Sequence, residues 1–444
     1  MSTIIPPAPA YTPEMPTHVI RRRAVASWVL YDLANTIFSM GVVSLFFSLW
    51  VREQVGPQRA DTTYGIITAI SMAVIFAASP VLGAMTDRAR RRMPFLIAST
   101  LICVGFTALL ARAGFVATAI FFVIANIAYQ AGLQFYDALL PEVSTDANRG
   151  RIGGIGVGVG YLGSYIAVGL GLVLGTGDKS LLFTLIAISF LAFALPCFLF
   201  VRERGNPNPR PINLRTVRES LAETIRTLRE GERYPGLLRF LVGRIFYTDA
   251  INTVIAIMAL YTVNVAVGTG LSETEGERQA QLILMSAITF AVIGGFAWGW
   301  MTDRLGPKRT LNLVLLAWVV IFLCAALVGI LSLPLWTLFV VAGSAGFALG
   351  GVWAADRPFM LRLTPPSRIG EFYGLYGMVG RFSAITGPMI WAGVTYITIQ
   401  RMGMEPQVGQ GIGVLVLLGM IVTSFVILQP VSDKHREWGP EGVR

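Results

Sequence analysis

Histidine, cysteine and charged side chains are scarce in this sequence. Of its 444 residues, two are histidine, three are cysteine and 14% are charged. His18 and His435 lie near the two ends, so we expect any proton coupling to run through carboxylates rather than imidazole. The cysteines fall in apolar segments at unrelated spacings, which indicates neither a disulfide framework nor a zinc site. We therefore expect no metal site and no cofactor.

Patterns typical of pumps and enzymes are also absent. The ATP-binding pattern Gly-x-x-x-x-Gly-Lys-Ser/Thr does not occur, which disfavours an ATP-driven pump in one chain. No nucleophile, base and orienting group cluster along the sequence, so an enzyme is the least favoured class. Six glycines between residues 153 and 163 superficially resemble a nucleotide-binding loop, but no soluble strand and helix surround them. We expect them to let one helix pack closely.

Long apolar runs dominate what is present. The chain is 54% hydrophobic with a mean hydropathy of +0.65, whereas soluble proteins carry about 25% charged residues. Windows of about 19 residues predict an all-α integral membrane protein with twelve transmembrane helices. The first run is too long for a signal-peptide core, so it should be retained. The predicted spans are 24–51, 63–85, 94–111, 115–136, 154–175, 181–200, 238–266, 280–301, 310–331, 334–355, 371–396 and 411–429.

The net charge of +10 is explained by the side of the membrane on which basic residues fall. With the N-terminus inside, most Lys and Arg residues lie in or beside inside segments, including 357–368. The positive-inside rule therefore predicts a multi-pass protein of the inner cell membrane with both termini cytoplasmic. Nucleic-acid binding is not needed to explain the charge. Arg244 and Arg381 are the two basic residues expected deep within spans.

Two short patterns recur in the second half of the chain. Residues 32–36, Asp-Leu-Ala-Asn-Thr, return 217 positions later as Asp-Ala-Ile-Asn-Thr at 249–253. Met-Thr-Asp-Arg at 85–88 returns 216 positions later at 301–304. Since six spans separate the copies, both halves have the same orientation, as in a parallel six-plus-six duplication. A weaker correspondence aligns Asp137, Arg149 and Ser164 with Asp356, Arg368 and Ser383.

The repeat divides the chain into five predicted parts. Residues 202–237 are charged and Pro-containing, as expected of a linker. Within them, apolar residues from 214 to 228 recur at helical spacing, which predicts a cytoplasmic amphipathic helix on the membrane surface or against the bundle ends. Partner recruitment by this helix is the less favoured alternative. The parts are an N-terminal tail 1–23, a six-helix bundle 24–201, the linker 202–237, a second bundle 238–429 and a C-terminal tail 430–444.

Several motifs resemble those of the major facilitator superfamily. Two of them follow helices 2 and 8: Gly83-x-x-x-Asp87-Arg88-x-x-Arg91-Arg92 and Gly299-x-x-x-Asp303-Arg304-x-Gly306-x-Lys308-Arg309. Three more are similar to the vacuole-effluxer branch: Trp28-x-x-Tyr31-Asp32-x-Ala34-Asn35, Phe135-Tyr136-Asp137-Ala138-x-x-Pro141-Glu142 and Glu371-Phe372-Tyr373-Gly374. That branch includes fungal vacuolar amino-acid exporters and bacterial relatives. The resemblance implies two pseudo-symmetric six-helix bundles that move a small polar solute by alternating access.

Helices 1 and 7 carry the leading candidates for the transport pathway. Asp32 and Asn35 are three residues apart, as are Asp249 and Asn252, so each pair occupies neighbouring positions on one helix. The resemblance places these helices across one central cavity, where carboxylate and amide groups suit a zwitterion or a polyol. In the alternative reading, both aspartates fasten the bundle through Arg or helix ends. Other predicted pathway residues are Tyr31, Asp137, Arg244, Tyr247 and Arg381.

The buried arginines need counter-charges or a polar cavity. Arg244 and Asp249 are five residues apart and do not share a helix face, so Arg244 should find its partner elsewhere. Arg381 could bind a substrate carboxylate, or could pair with Asp32 or Asp249 in one conformational state. We favour the ion-pair switch. Asp32 or Asp249 is the expected proton carrier, and sodium coupling remains an alternative.

The loop motifs predict a cytoplasmic latch by analogy with the superfamily. Asp87 and Asp303 would lie near helix ends of the neighbouring bundle, because an Asp at a helix N-terminus gains about 0.3–1 kcal/mol. Simple positive-inside anchoring would explain the arginines but not the repeated aspartates. The arginines expected to pair with acids in this latch are Arg88, Arg91, Arg304 and Arg309.

Together these observations predict a secondary active transporter rather than an enzyme. The leading hypothesis is efflux of a small, amino-acid-like polar solute coupled to a proton gradient, with a sodium gradient as the other energy source. An importer of sugars or polyols is one alternative, and a membrane sensor or scaffold that has lost transport is another. The expected partners are a small-molecule substrate and the lipid bilayer, without nucleic acid, and the protein is expected to be a monomer.

Overall fold

Twelve long helices make up almost the whole of the described chain. A computed structural model describes residues 20–174, 179–206, 209, 234–434, 438, 439, 442 and 443. Eleven of the helices are long and apolar enough to cross a membrane, and the twelfth, α3, is a shorter apolar helix of 16 residues. The predicted all-α twelve-helix architecture is therefore confirmed. The predicted amphipathic helix at 214–228 lies outside the described residues.

The helices follow the order of the predicted spans, with ends that differ by up to about two turns. Two π-helical segments interrupt or extend them, Ser39–Phe46 within α1 and Tyr396–Arg401 after α11. Short elements are the helix Leu140–Val143, the 3-10 turn Pro366–Arg368 and a hairpin of Trp438–Gly439 with Gly442–Val443. The twelve helices are α1 Arg22–Val55, α2 Pro57–Arg88, α3 Met93–Ala108, α4 Phe115–Asp137, α5 Arg149–Leu174, α6 Lys179–Phe200, α7 Leu237–Gly268, α8 Glu273–Leu305, α9 Pro307–Ile330, α10 Trp336–Arg362, α11 Ile369–Thr395 and α12 Pro406–Leu428.

Two Gly-Pro pairs make the tightest turns between helices. Gly56 joins α1 to α2 with φ +79°, and Gly306 joins α8 to α9 with φ +86°. Glycine adopts this left-handed backbone without a steric penalty. The following residues, Pro57 and Pro307, stand at the first position of the next helix, where the missing N–H costs nothing. Local sequence thus fixes where both helices begin.

Each half of the chain has its own hydrophobic core. In the first half, α1 packs against α5 and α6, α3 against α4 and α6, and α2 against α4. In the second half, α7 packs against α8, α11 and α12, while α10 packs against α8 and α9. The halves meet where α5 packs on α8 and α10, and where α2 packs on α11. Under the sequence repeat the α5–α8 and α2–α11 contacts are equivalent, since α2 corresponds to α8 and α5 to α11.

Glycine allows the helices of the two halves to touch. A Cβ atom added at Gly154 would lie 2.3 Å from the carbonyl oxygen of Gly295 and 2.5 Å from the Cα atom of Gly299. At the other contact, a Cβ atom at Gly83 would lie 2.1 Å from the carbonyl oxygen of Gly370. The predicted close packing by the glycines of α5 is confirmed, and it joins α5 to the opposite half.

Adding one methyl group at this contact should therefore destabilise the packed arrangement. Gly154→Ala puts a Cβ against backbone atoms that cannot rotate away, and overpacking costs about 1–3 kcal/mol. We expect the melting temperature of the purified protein to fall by about 2–4 °C for each kcal/mol. The matched control is Gly105→Ala, where a Cβ meets no atom within 4 Å. Equal melting temperatures for the two variants would contradict the close contact.

Candidate functional site

A polar cavity of about 380 Å³ lies between the two halves. Helices α1, α2, α4 and α5 contribute to one wall, and α7, α10 and α11 contribute to the other. The lining combines carboxylates, guanidinium groups, amides and aromatic rings, which is the composition expected of a site for a small polar ligand. Its polar lining includes Asp32, Asn35, Thr36, Gln130, Gln134, Asp137, Arg244, Thr248, Asn252, Arg357 and Arg381.

Arg357 bridges the two halves inside this cavity. The side chain comes from α10, and its Nη1 atom lies 3.5 Å from Oδ2 of Asp32 on α1. Its Nε atom lies 3.1 Å from Oδ1 of Asp137 at the end of α4. All three side chains are about nine-tenths buried. One guanidinium from the second half therefore neutralises part of the charge of two carboxylates from the first.

A second buried pair lies wholly within the second half. Arg244 on α7 donates from Nε to Oδ2 of Asp356 on α10 at 3.1 Å, and from Nη1 to the carbonyl oxygen of Tyr376 at 3.0 Å. Its guanidinium carbon lies 3.6 Å from the centre of the Tyr376 ring. The Tyr376 hydroxyl donates to Asp356 at 2.9 Å. Each charge thus has close partners, as a buried pair requires.

Arg381 differs from the other two cavity arginines because its partners are neutral. It donates from Nη1 to the hydroxyl of Ser79 at 2.5 Å and from Nη2 to the carbonyl oxygen of Gln130 at 2.8 Å. Both acceptors belong to the first half, on α2 and α4. Among the described residues, no carboxylate lies within 4.0 Å of this guanidinium. The group is 5% exposed, so its charge is buried, and no counter-ion of the described chain is in direct contact with it.

Amide and hydroxyl groups complete the cavity wall. Asn35 is buried, and within the described chain neither its side-chain oxygen nor its nitrogen has a hydrogen-bond partner. The same holds for the hydroxyl of Thr248 and the side-chain oxygen of Gln134. Buried polar groups normally have partners, so these atoms are candidates for contact with a bound polar molecule or water.

The structure places six of the nine predicted pathway residues on the cavity wall. The other three lie in helix packing. Tyr31 shares a hydrogen bond with Thr100 at 2.6 Å inside the first bundle. Tyr247 is fully buried beside the second core. Asp249 accepts from the hydroxyl of Thr386 at 2.7 Å between α7 and α11. The six on the wall are Asp32, Asn35, Asp137, Arg244, Asn252 and Arg381.

The placement of Asp249 corrects the expectation of two facing carboxylate and amide pairs. On α7 the cavity wall carries Thr248 and Asn252, whereas the Asp249 side chain is turned toward α11. Of the two repeated aspartates, only Asp32 lines the cavity. The repeat therefore preserves the sequence but not the environment of the side chain.

Asp356 and Arg357 are the functional candidates that sequence reasoning missed. The predicted span ended at residue 355 and assigned Arg357 to an inside loop, but α10 continues to Arg362. This assignment was wrong, because Arg357 is buried in the cavity. The signal that was available is the weak repeat that aligns Asp356 with Asp137. It would have predicted a second carboxylate at the same depth as Asp137.

Two aspartates join the halves at one end of the bundle. We call this the basic end; it comprises the α2–α3 loop at 89–92 and the α8–α9 turn at Gly306. Asp87 accepts from the backbone N–H groups of Gly370 and Glu371 at 2.7 and 2.8 Å, at the start of α11. Asp303 accepts from Gly150 and Arg151 at 2.7 and 3.1 Å, at the start of α5. Each carboxylate thus caps a helix of the other half.

The arginines of the loop motifs are used differently from the expectation. Arg92, rather than Arg91, pairs with Asp87 at 2.7 Å, and Arg91 is exposed. Arg304 lies over the ring of Trp300 with 3.8 Å between the guanidinium carbon and the ring centre. Arg309 is exposed, and neither it nor Arg304 has an ion pair with another described residue. Arg88 ends α2.

The segment after α6 is fastened to the same end. The carboxylate of Glu203 accepts from the backbone N–H groups of Arg92 and Met93 at 2.6 and 3.0 Å, which caps α3. Burial raises the pKa of Glu203, while these two hydrogen bonds oppose the rise. The side-chain amide of Asn206 donates to the carbonyl oxygen of Asp87 at 2.7 Å. The start of the linker is therefore in contact with the latch, by which we mean the caps that Asp87 and Asp303 form between the halves.

The chain is similar to known membrane transporters over most of its length. Residues 54–434 match the family described as vacuole effluxer Atg22-like. The uncharacterised MFS-type transporter YxiO of Bacillus subtilis is 23% identical over 433 residues, which cover 93% of this chain and 96% of YxiO. Autophagy-related protein 22-2 of Aspergillus clavatus is 26% identical over 268 residues, which cover 54% of this chain and 42% of the fungal protein.

Solved structures of the major facilitator superfamily share the fold. The human organic anion transporter MFSD10 superposes with a TM-score of 0.71 at 18% identity, covering 92% of this chain and 99% of that structure. The proton:xylose symporter XylE superposes with a TM-score of 0.63 at 13% identity, covering 91% of this chain and 93% of XylE. These identities are low, so the likeness concerns the arrangement of helices.

The cap made by Asp303 should hold the basic end together. Asp303→Asn removes the charge that stabilises the N-terminus of α5, so we expect amide hydrogen exchange at Gly150 and Arg151 to become about two- to fivefold faster. The matched control is Asp433→Asn. The Asp433 carboxylate accepts from the backbone N–H of Lys308 at 3.0 Å and so caps α9 without contacting the first half at that point. If the control accelerates exchange at α5 as much, the contact between halves is not responsible.

Proposed function

Because this chain belongs to the Atg22-like vacuole effluxer family and has the major facilitator fold, we propose that it is a secondary active transporter of a small, amino-acid-like solute. The transporter role follows from the family. The solute class rests on the cavity, and above all on Arg381. A buried guanidinium with only neutral acceptors is a costly arrangement, which a bound carboxylate would relieve through two parallel hydrogen bonds.

A zwitterion fits the remaining groups of the cavity. Its carboxylate would bind Arg381, and its ammonium group would donate to Asp32 and to the side-chain oxygen of Asn35. A cavity of about 380 Å³ is within the range of small-ligand sites. The description of MFSD10 as an organic anion transporter agrees with an anionic group on the solute.

Alternating access would use the contacts between the halves. We propose that the basic end and both termini face the cytoplasm, as the positive-inside rule favours, which would make this a state with its cytoplasmic end closed. Opening that end requires separation of Arg357 from Asp32 and Asp137, together with release of the caps at Asp87 and Asp303. We place the transporter in the inner cell membrane.

Proton coupling would act on the Arg357 bridge. Asp32 and Asp137 share this guanidinium, so a proton on either carboxylate weakens the link between the halves without leaving an unpaired negative charge. We therefore propose that Asp32 carries the proton and that proton entry drives solute efflux. Asp249 is the less favoured carrier, because it contacts Thr386 outside the cavity. A sodium ion bound by the same carboxylates is the alternative.

A polyol importer is the second candidate function. The hydroxyl of Thr248 and the side chains of Asn35, Asn252 and Trp353 form a neutral part of the wall that suits a sugar. A sugar would leave Arg381 without a counter-ion, which is why the zwitterion is preferred. The third alternative, a sensor that binds a solute without moving it, would show binding but no flux.

Loss of the Arg381 charge should weaken uptake of an anionic or zwitterionic solute into proteoliposomes. A charge-assisted hydrogen bond contributes about 1.5–3 kcal/mol, so Arg381→Gln should weaken apparent affinity about ten- to hundredfold. Arg381→Lys should retain part of the affinity. The control is Arg278→Gln, an arginine whose side chain is 74% exposed. If Arg381→Gln transports a panel of amino acids as the wild type does, the proposed solute class is wrong. It is also wrong if the wild type transports only sugars.

The two repeated aspartates should separate in a coupling assay. In proteoliposomes with an imposed pH gradient, Asp32→Asn should still exchange solute but should lose stimulation by the gradient. Asp249→Asn is the matched variant, since it carries the same change at the corresponding residue outside the cavity. It should retain stimulation. If Asp249→Asn loses stimulation and Asp32→Asn keeps it, the proton site lies on α7. If only a sodium gradient stimulates both variants, sodium rather than the proton is the coupling ion.

A further inference from the structure

A second cavity lies between the ends of α1 and α5 at the basic end. Its volume is about 750 Å³, and it is separate from the solute cavity. The walls are apolar, with Val25 and Val29 from α1 and Ile152 and Ile155 from α5. We call it the α1–α5 groove. An apolar groove between membrane helices is suited to hydrocarbon chains.

The rim of the groove is basic. Arg22 at the start of α1 and Arg151 near the start of α5 both line it and are both exposed. Thr145 and Asn148 lie beside them. Asn148 accepts from the backbone N–H of Thr145 at 2.7 Å through Oδ1, so its amide nitrogen remains as a donor. Two guanidinium groups, an amide and a hydroxyl thus surround one opening.

Neighbouring acids do not remove this charge. Asp146, on the loop before α5, pairs with Arg149, and its Oδ2 atom lies 3.5 Å from Nη1 of Arg362. Asp303 accepts from the backbone N–H of Arg151, so this acid lies beside the rim. Arg22 and Arg151 together carry more positive charge than this one carboxylate balances.

We propose that the α1–α5 groove binds an anionic phospholipid, with its phosphate between Arg22 and Arg151 and its acyl chains along the apolar walls. The groove lies at the ends of α1 and α5, two helices long and apolar enough to cross a membrane, where lipid headgroups are expected. Basic pockets between transmembrane helices bind anionic headgroups in this way. A free phosphate would satisfy the rim but would leave the apolar walls uncovered.

The bound lipid would also act on the latch. The backbone N–H of Arg151 donates to Asp303 of the opposite half, while its side chain lines the groove. A headgroup that holds Arg151 therefore fixes the N-terminus of α5 beneath Asp303. The lipid site is coupled to closure of the basic end through one residue.

The test compares lipids on the purified full-length chain. Binding of phosphatidylglycerol is measured by native mass spectrometry and by melting temperature, with phosphatidylcholine and inorganic phosphate as parallel ligands. Each guanidinium near a headgroup contributes about fivefold in affinity, so the double variant Arg22→Gln with Arg151→Gln should lose at least tenfold for phosphatidylglycerol. The control is Arg202→Gln with Arg239→Gln, which removes two exposed arginines outside the groove. It should stay within about twofold of the wild type.

Three results would overturn the proposal. If both double variants lose the same affinity, the effect is general surface charge. If inorganic phosphate stabilises the wild type as much as phosphatidylglycerol does, the ligand is a free anion. If the wild type does not distinguish phosphatidylglycerol from phosphatidylcholine, another occupant fills the groove, such as residues 1–19 of this chain.

Discussion

The structure depends on providing polar or charged partners for three guanidinium groups within a bundle of apolar helices. A charge in the hydrocarbon region costs several kcal/mol unless it is paired or hydrated. Arg244 has Asp356 beside it in the same half, and Arg357 has two carboxylates in the opposite half. Arg381 has only the neutral acceptors Ser79 and Gln130. The three groups therefore differ in their contacts: Arg244 is paired within its own half, whereas Arg357 and Arg381 reach the opposite half, Arg357 through carboxylates and Arg381 through neutral acceptors.

The same charges make the two walls of the cavity unlike each other. The first half contributes Asp32 and Asp137 to the cavity wall, while the second contributes Arg244, Arg357 and Arg381. The first wall is therefore acidic and the second basic, although the halves descend from one repeat. The contacts of Arg357 with Asp32 and Asp137 link the two walls. In the proposed mechanism, a zwitterion or a proton that enters between the walls would change this attraction and so connect binding to movement.

The sequence predicted the fold better than it predicted the site. Apolar windows found all twelve long helices of the described residues, because hydropathy over about twenty residues is a local property. The repeated aspartates suggested two equivalent positions, but side-chain direction depends on how α7 packs against α11, so Asp249 meets Thr386 while Asp32 meets Arg357. Arg357 was missed because a charged residue near the end of an apolar run resembles a loop residue. Only the packing of α10 against α5 and α8 shows that it is buried.

The most direct test of this account is to compare the distance across the basic end in the wild type and in Arg357→Gln. Spin labels on cysteines placed at the exposed positions Arg91 and Arg309, in a background without Cys324, report that distance by electron paramagnetic resonance. Removing one partner of a buried ion pair costs about 3–5 kcal/mol, so Arg357→Gln should shift the population toward longer distances. An unchanged distance distribution in Arg357→Gln would show that the bridge from Arg357 to Asp32 and Asp137 does not hold the halves together.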